Sequence, residues 1–258
     1  MSSVNVIAFY LPQYYPISEN DKYYGKGFTE WTNVGKSTPL YRGHYQPRIP
    51  ADLGYYDLRI PEVMEQQVLL AKEANIAAFC YYHYWFNGKR LMDRPVKEIL
   101  ASGQPDFPFM LCWANENWSR NWDGKFRNIL IEQHYSEEDD IEHMRYLCSK
   151  VFQDTRYIRI DGKPVFAIYR SNFFPNMKHT IDVWRKVAKE EYGIELYLIR
   201  VENEPDFGPK YLDCGFDSAM DFQPLLMGEF NAWWKNLPFR IMNHLFKGKY
   251  QWFNKHFS

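Results

Sequence analysis

Residues 107–114 (FPFMLCWA) run straight into Asn115-Glu116-Asn117-Trp118, with Arg120, Trp122 and Asp123 close behind. A mostly apolar run of this length reads as a buried strand. The abrupt change to amides, an acid and indoles marks the strand's end. The same signature recurs along the chain. Residues 4–11 (VNVIAFYL) stop at Pro12-Gln13. Residues 76–84 (IAAFCYYHY) stop at Trp85-Phe86-Asn87. Residues 164–169 stop at Arg170, 194–201 at Glu202-Asn203-Glu204, and the short run 217–221 at Phe222-Gln223.

Helical segments separate these runs. Residues 61–75 place Val63, Val68, Leu69 and Ala71 on one side, and residues 95–101 form a short helix. Ser136-Glu-Glu-Asp139 resembles a capping box and opens a helix to about residue 151. Residues 180–192 close on Gly193. Residues 157–160 and 164–169 pair through an Asp161-Gly162 turn. The stretch from Pro12 to about Tyr56 reads as one long loop, and long ordered loops are often functional. Strands alternating with helices imply a parallel sheet. No GxGxxG or Walker motif follows any strand, which removes support for nucleotide-binding doubly wound folds. The expectation is a TIM-type (β/α) barrel in a single domain over residues 1–258, incomplete, with about six of eight βα units. About 250 residues are usual for such a barrel.

Bulk properties narrow the function. A net charge of −1 excludes a general nucleic-acid or anionic-membrane surface. No apolar stretch approaches the roughly 20 residues of a membrane span. The first sixteen residues lack the pattern of a secretory signal. Cys80, Cys112, Cys148 and Cys214 form no CxxC pair and read as buried reduced thiols, which suits the cytoplasm. Aromatic residues make up 19%, and many stand beside His, Asn, Glu and Arg. Such mixtures suit a ligand with both apolar faces and hydroxyls, which describes a sugar.

If the strand ends converge, they ring one pocket. Glycosidic chemistry needs two carboxylates about the anomeric carbon. Glu116 is the candidate general acid, with Glu202 or Asp221 as its partner. Candidate sugar-binding residues are Tyr10, Gln13, Glu30, Trp31, His44, Tyr45, His83, Tyr84, Trp85, Asn87, Trp113, Asn115, Trp118, Arg120, Trp122, Tyr169 and Arg170. His44 and His83 lack metal-ligand spacing, so neither metal nor cofactor is expected. The run 137–140 (EEDD) is a solvated helix start.

Four segments carry a resemblance: FYLPQYYPISENDKYYGKGFTEWTNV, GHYQPRIPADLGYYDLR, CYYHYWFNGKRLMDRPV and CWANENWSRNWDG. Together they resemble the WbsX-type proteins of bacterial polysaccharide loci. Those are described as glycosyltransferases or lipopolysaccharide biosynthesis proteins and are similar in fold to family 99 glycoside hydrolases, the endo-α-mannosidases. The resemblance covers residues 4 to about 224. It implies a (β/α)8-type barrel acting on an oligosaccharide or polysaccharide, and in the hydrolase relatives the sugar's own 2-hydroxyl serves as nucleophile. The relatives' catalytic Glu-x-x-Glu pair, and the C-terminal Asn-Glu-Trp-Ala-Glu segment of the WbsX-type proteins, have no counterpart here. The alternative expectation is therefore a catalytically inactive carbohydrate-binding remnant. A third, weaker reading, a phosphosugar-binding α/β protein, lacks a Gly-rich phosphate cradle. A six-stranded piece leaves an open edge. The C-terminal aromatic segment (Trp233, Trp234, Phe239, Trp252), self-association, or strands beyond Ser258 would cover it.

Overall fold

The computed structural model describes residues 5–120, 125–202 and 212–222. The elements run β1 (Val6–Tyr10), α1 (Ser18–Tyr24), α2 (Glu30–Lys36), α3 (Pro61–Glu73), β2 (Ile76–Phe86), β3 (Lys89–Leu91), α4 (Arg94–Ser102), β4 (Phe109–Trp113) and β5 (Trp118–Arg120). They continue with β6 (Lys125–Ile131), α5 (Glu137–Tyr146), β7 (Arg159–Ile160), β8 (Lys163–Ile168), α6 (Met177–Tyr192), β9 (Tyr197–Glu202) and β10 (Ser218–Asp221). The main sheet has the order β1-β2-β4-β8-β9-β10, and every pair along this path is parallel. These are the six expected core strands.

Local chemistry explains the boundaries. Pro61 starts α3, where a missing N–H costs nothing. Ser136 caps α5 by accepting from the Asp139 amide at 3.2 Å. The helix does not run uniformly to residue 151, because its last turn, Leu147–Val151, widens into a π-helix. Gly193 ends α6 with φ 67°, a conformation that glycine adopts without a Cβ penalty. Asp161 (φ 50°) and Gly162 (φ 77°) make the two-residue turn between β7 and β8.

Strand alternation divides the core. Tyr10, Phe79, Tyr81, Phe109, Trp113 and Phe166 face the helices. Tyr10 donates to Gln67 of α3 at 2.6 Å, and Trp113 and Phe166 meet Trp184 of α6 at 6.0 and 5.9 Å between ring centres. Phe9, Tyr82, Tyr169 and Phe222 face the other way and close a circuit of ring contacts. Phe9–Tyr82 is 5.4 Å, Tyr82–Tyr169 5.9 Å, Tyr169–Phe222 5.5 Å and Phe222–Phe9 5.0 Å. In a flat sheet the first and sixth strands would stand about 24 Å apart, five spacings of about 4.8 Å. The 5.0 Å contact shows that the sheet curls into a half-barrel, concave on this side.

Two expectations are corrected. Residues 12–56 are not one loop, since α1 and α2 lie within them. The run 137–140 is not a solvated helix start throughout, since Asp139 and Asp140 are buried; the segment after β4, for its part, folds into the antiparallel pair β5–β6. The C-terminal aromatic segment lies outside the described residues.

Candidate functional site

A pocket of about 240 Å3 opens on the concave side at the C-terminal ends of the strands. Leu11 and Gln13 follow β1, Tyr82 and Tyr84 belong to β2, and Tyr169 follows β8. Ala114, Glu116, Asn117, Trp118 and Ser119 come from the end of β4 and from β5. This is the face where barrels carry function. The volume lies just under the roughly 300 Å3 where drug-sized sites begin, so it suits a single small ring.

The walls are held in place. Gln13 Nε2 donates to the Tyr84 hydroxyl at 2.5 Å. Trp118 stands edge-on to the Tyr84 ring at 5.2 Å. Burial pushes the phenols of Tyr82, Tyr84 and Tyr169 above their usual range, so all three remain protonated donors.

Asn115 is fully buried and acts as a bracket beneath the pocket. Its Oδ1 accepts from the Arg170 amide at 2.8 Å, and its Nδ2 donates to the Arg170 carbonyl at 2.8 Å. Nδ2 also donates to Tyr135 Oη at 3.0 Å, and that hydroxyl donates to the Asn115 carbonyl at 2.7 Å. The bracket joins the ends of β4 and β8 and sets the next residue, Glu116, opposite Arg170. Arg170 Nε donates to Glu116 Oε1 at 2.8 Å, with the two side chains 23% and 44% exposed. The Arg170 guanidinium also lies 5.1 Å from the Tyr169 ring centre.

Of the residues expected from sequence, Gln13, Tyr84, Glu116, Trp118 and Tyr169 line this pocket, with Asn115 and Arg170 bracing it. Glu30 is buried near Tyr84, and burial raises its carboxyl to about 7. Trp31 donates to the Tyr56 carbonyl at 2.7 Å and packs on Tyr14. His44 stacks on Tyr41 at 4.7 Å, while Tyr45 is 58% exposed under Arg48. Asn87 occupies a positive-φ turn before Gly88. The side chain of Arg120 and all of Trp122 lie outside the described residues.

Alternation sends the rest to the helix side. His83 is buried with its Nε2 3.0 Å from His143 Nε2, and burial pushes its pKa down to about 3. Trp85 stacks on His143 at 4.5 Å and donates to Asp139 at 2.9 Å. Trp113 donates to the Trp85 carbonyl at 3.2 Å. Tyr10 is held by α3. Glu202 and Asp221 stand side by side in register on the face opposite Tyr169 and Phe222, and Glu202 accepts from Arg200 at 2.6 Å. The physical reason is common to all six. A strand end is not one cluster, because neighbouring side chains point to opposite faces. The same rule would have found Tyr82, two residues before Tyr84, which the sequence reading omitted along with Leu11, Ala114, Asn117 and Ser119.

Among the described residues no group of three metal-binding side chains converges, and no helix is long and apolar enough to cross a membrane.

Comparison with known proteins agrees with this architecture. Two proteins called uncharacterized protein WxcX, from Xanthomonas campestris pv. campestris strains B100 and ATCC 33913, are each 42% identical over 219 residues. The match covers 85% of this chain and 31% of theirs. The chain thus spans about a third of the length of these curated relatives. The GH99 endo-alpha-mannosidase from Bacteroides thetaiotaomicron superposes with TM-score 0.51 at 15% identity, covering 90% of this chain and 68% of that one. Its complex with BIS-TRIS-Propane gives 0.50 at 15%, covering 84% and 58%. A protein described as glycoside hydrolase-like gives 0.52 at 16%, covering 84% and 58%. At these identities the likeness is one of fold, and it identifies the curled sheet as part of a TIM-type barrel. The family model described as Glycosyltransferase WbsX matches residues 6–254, and the chain belongs to that family.

Proposed function

We propose that this chain acts on glycosidic bonds in the making or processing of a bacterial surface polysaccharide. One observation carries the reading. The Glu116 carboxylate, fixed by Arg170, opens into a pocket walled by Tyr82, Tyr84, Trp118 and Tyr169. Flat rings cover the C–H faces of a pyranose, the neutral phenols bond its hydroxyls, and the carboxylate stands beside them. The WbsX family and the WxcX relatives supply the polysaccharide context. We place the protein in the cytoplasm. Self-association would run along the outer edge of β1, which pairs with no strand among the described residues.

A second reading, a carbohydrate-binding domain without turnover, is favoured by the placing of Glu202 and Asp221 away from the pocket. The test is a panel of oligosaccharides from O-antigen and capsular polysaccharides, followed by calorimetry for binding and by mass spectrometry for turnover. Binding that falls about tenfold or more in Trp118→Ala, the loss of about 1.4 kcal/mol, supports the site. Turnover lost in Glu116→Gln with binding retained supports the enzyme reading. Binding with no turnover in the unaltered chain supports the second reading. Absence of any glycan binding sinks both.

A further inference from the structure

The wall of the pocket is uneven at one point. Gln13, Tyr84, Ala114 and Tyr169 form a single level around its concave face. His83 pairs with Trp113, and Trp113 with Ile168, so the residues that follow them stand side by side. The Ala114 amide donates to the His83 carbonyl at 3.0 Å, and the Tyr169 amide to the Trp113 carbonyl at 3.1 Å, which carries the ladder up to this level. Gln13 reaches Tyr84 at 2.5 Å. Three of these four side chains are long. Ala114 is a single methyl between two tyrosines, and all four line the cavity, so the wall has a notch there. One level lower Leu11 stands beside Tyr82, since Tyr10 pairs with Tyr81.

The chain just beyond Ala114 edges the notch. Asn117 Oδ1 accepts from the Gln133 amide at 2.7 Å. A backbone N–H can only donate, so this bond fixes which way the Asn117 amide points. Nδ2 is the atom left over, and among the described residues nothing accepts from it. Asn117 lines the cavity, so it offers the pocket N–H donors and no acceptor. Glu116 gives Oε1 to Arg170 at 2.8 Å, and among the described residues Oε2 accepts from nothing.

An apolar notch with a donor-only rim discriminates among sugar substituents. A hydroxyl is too short to fill the notch, and it brings a proton that Asn117 has no free acceptor for. A carboxylate would satisfy Asn117 but would set a second anionic group beside the open oxygen of Glu116. An acetamido group meets each feature. Its methyl fits against Ala114 between the tyrosine rings, its carbonyl oxygen takes the Asn117 proton and carries none of its own, and it adds no charge. We propose that the pocket takes a sugar bearing an acetamido group, read by the Ala114 notch and the Asn117 amide. The inference rests on the sugar-handling reading above. It makes Ala114 and Asn117 specificity-determining residues and leaves Glu116 for the bond chemistry.

The test is binding of methyl glycosides to the full chain, by calorimetry and saturation-transfer NMR. The panel is glucose, galactose and mannose, their uronates, and their forms with an acetamido group at carbon two, three or four. At least one acetamido form should bind about twentyfold tighter than its parent sugar, with the acetamide methyl receiving the strongest saturation. Ala114→Leu fills the notch and should abolish this preference while parent sugars bind as before. Asn117→Asp keeps an oxygen for the Gln133 amide, so the urea midpoint should hold, but it turns the donor into an acceptor. Acetamido forms should then weaken about tenfold, which tests the proposal even where Ala114→Leu fails to fold. Equal binding of acetamido and parent sugars, or tighter binding of uronates, overturns the inference and spares the sugar-handling reading. A preference that survives Asn117→Asp overturns it too. Acetamido-selective binding without turnover upholds it and leaves a binding domain. No sugar binding at all removes the sugar-handling reading and this inference with it.

Discussion

Replacing Asn115 by alanine should cost more stability than a change at any other position near the pocket. The side chain makes three hydrogen bonds, two with the Arg170 backbone at 2.8 Å and one to Tyr135 at 3.0 Å. At about 1 kcal/mol net each, their loss comes to about 3 kcal/mol. The Arg170 amide and carbonyl are part-buried and lose the groups that satisfied them, which adds about 1 kcal/mol. The expected destabilisation is about 4 kcal/mol. With a urea m-value of about 3 kcal/mol/M, the midpoint falls by about 1.3 M. Urea unfolding followed by circular dichroism reads this directly, and an unchanged m-value keeps the interpretation in the native state. Asn115→Asp keeps the acceptor but sets a second oxygen against the Arg170 carbonyl in a buried site, so it should destabilise at least as much as alanine at pH 7. A loss under 1 kcal/mol for alanine would refute the bracket, because water would then be replacing all three bonds.

Other outcomes follow from the same geometry. His83 and His143 are both held neutral by burial, with His83 lowered to about 3. Below about pH 6.5 the unfolded chain binds protons that the folded chain refuses, so stability should fall as pH drops. Denaturant titrations at pH 7, 6 and 5 read this slope, which should flatten in His143→Phe. For Glu30 the sign reverses. Its folded value, about 7, lies above the unfolded one, so its contribution is full below about pH 4.3 and is lost as pH rises through 7. Glu30→Gln should therefore gain stability relative to the unaltered chain between pH 5 and 8, read as a pH-dependent difference in melting temperature. Gly162→Ala places a Cβ at φ 77° where no neighbouring atom lies within 4 Å, so the cost is backbone strain alone. About 1 kcal/mol is expected, measured by thermal unfolding.

The core strands were legible because a buried parallel strand needs an unbroken apolar run, and IAAFCYYHY and FPFMLCWA have no other use for one. The helices α1 and α2 were not legible. SENDKYY and EWTNVGK are seven residues each, without an apolar stripe, and isolated helices of that length are marginal in water. Packing holds them, with Trp31 and Tyr14 in contact at 4.6 Å. Glu116 was legible from its place directly after β4. The inward set was only half legible, since strand-end residues were grouped by closeness in sequence. His83 and Trp85 alternate with Tyr82 and Tyr84, and only the latter two reach the pocket.

The order of the main sheet has a consequence for how the molecule is made. Its path, β1-β2-β4-β8-β9-β10, follows the order of the chain, so each core strand pairs with the one synthesised before it. Among the described residues, no core strand after β1 waits for a later strand to be made before it can find its first partner. Parallel sheets fold slowly when their pairings are remote, because loop-closure entropy precedes the contacts that repay it. Here each new βα unit docks onto a finished edge, at the roughly 5–20 residues per second of translation. A nascent chain can thus assemble its curved wall from the N-terminal end while the ribosome is still adding residues.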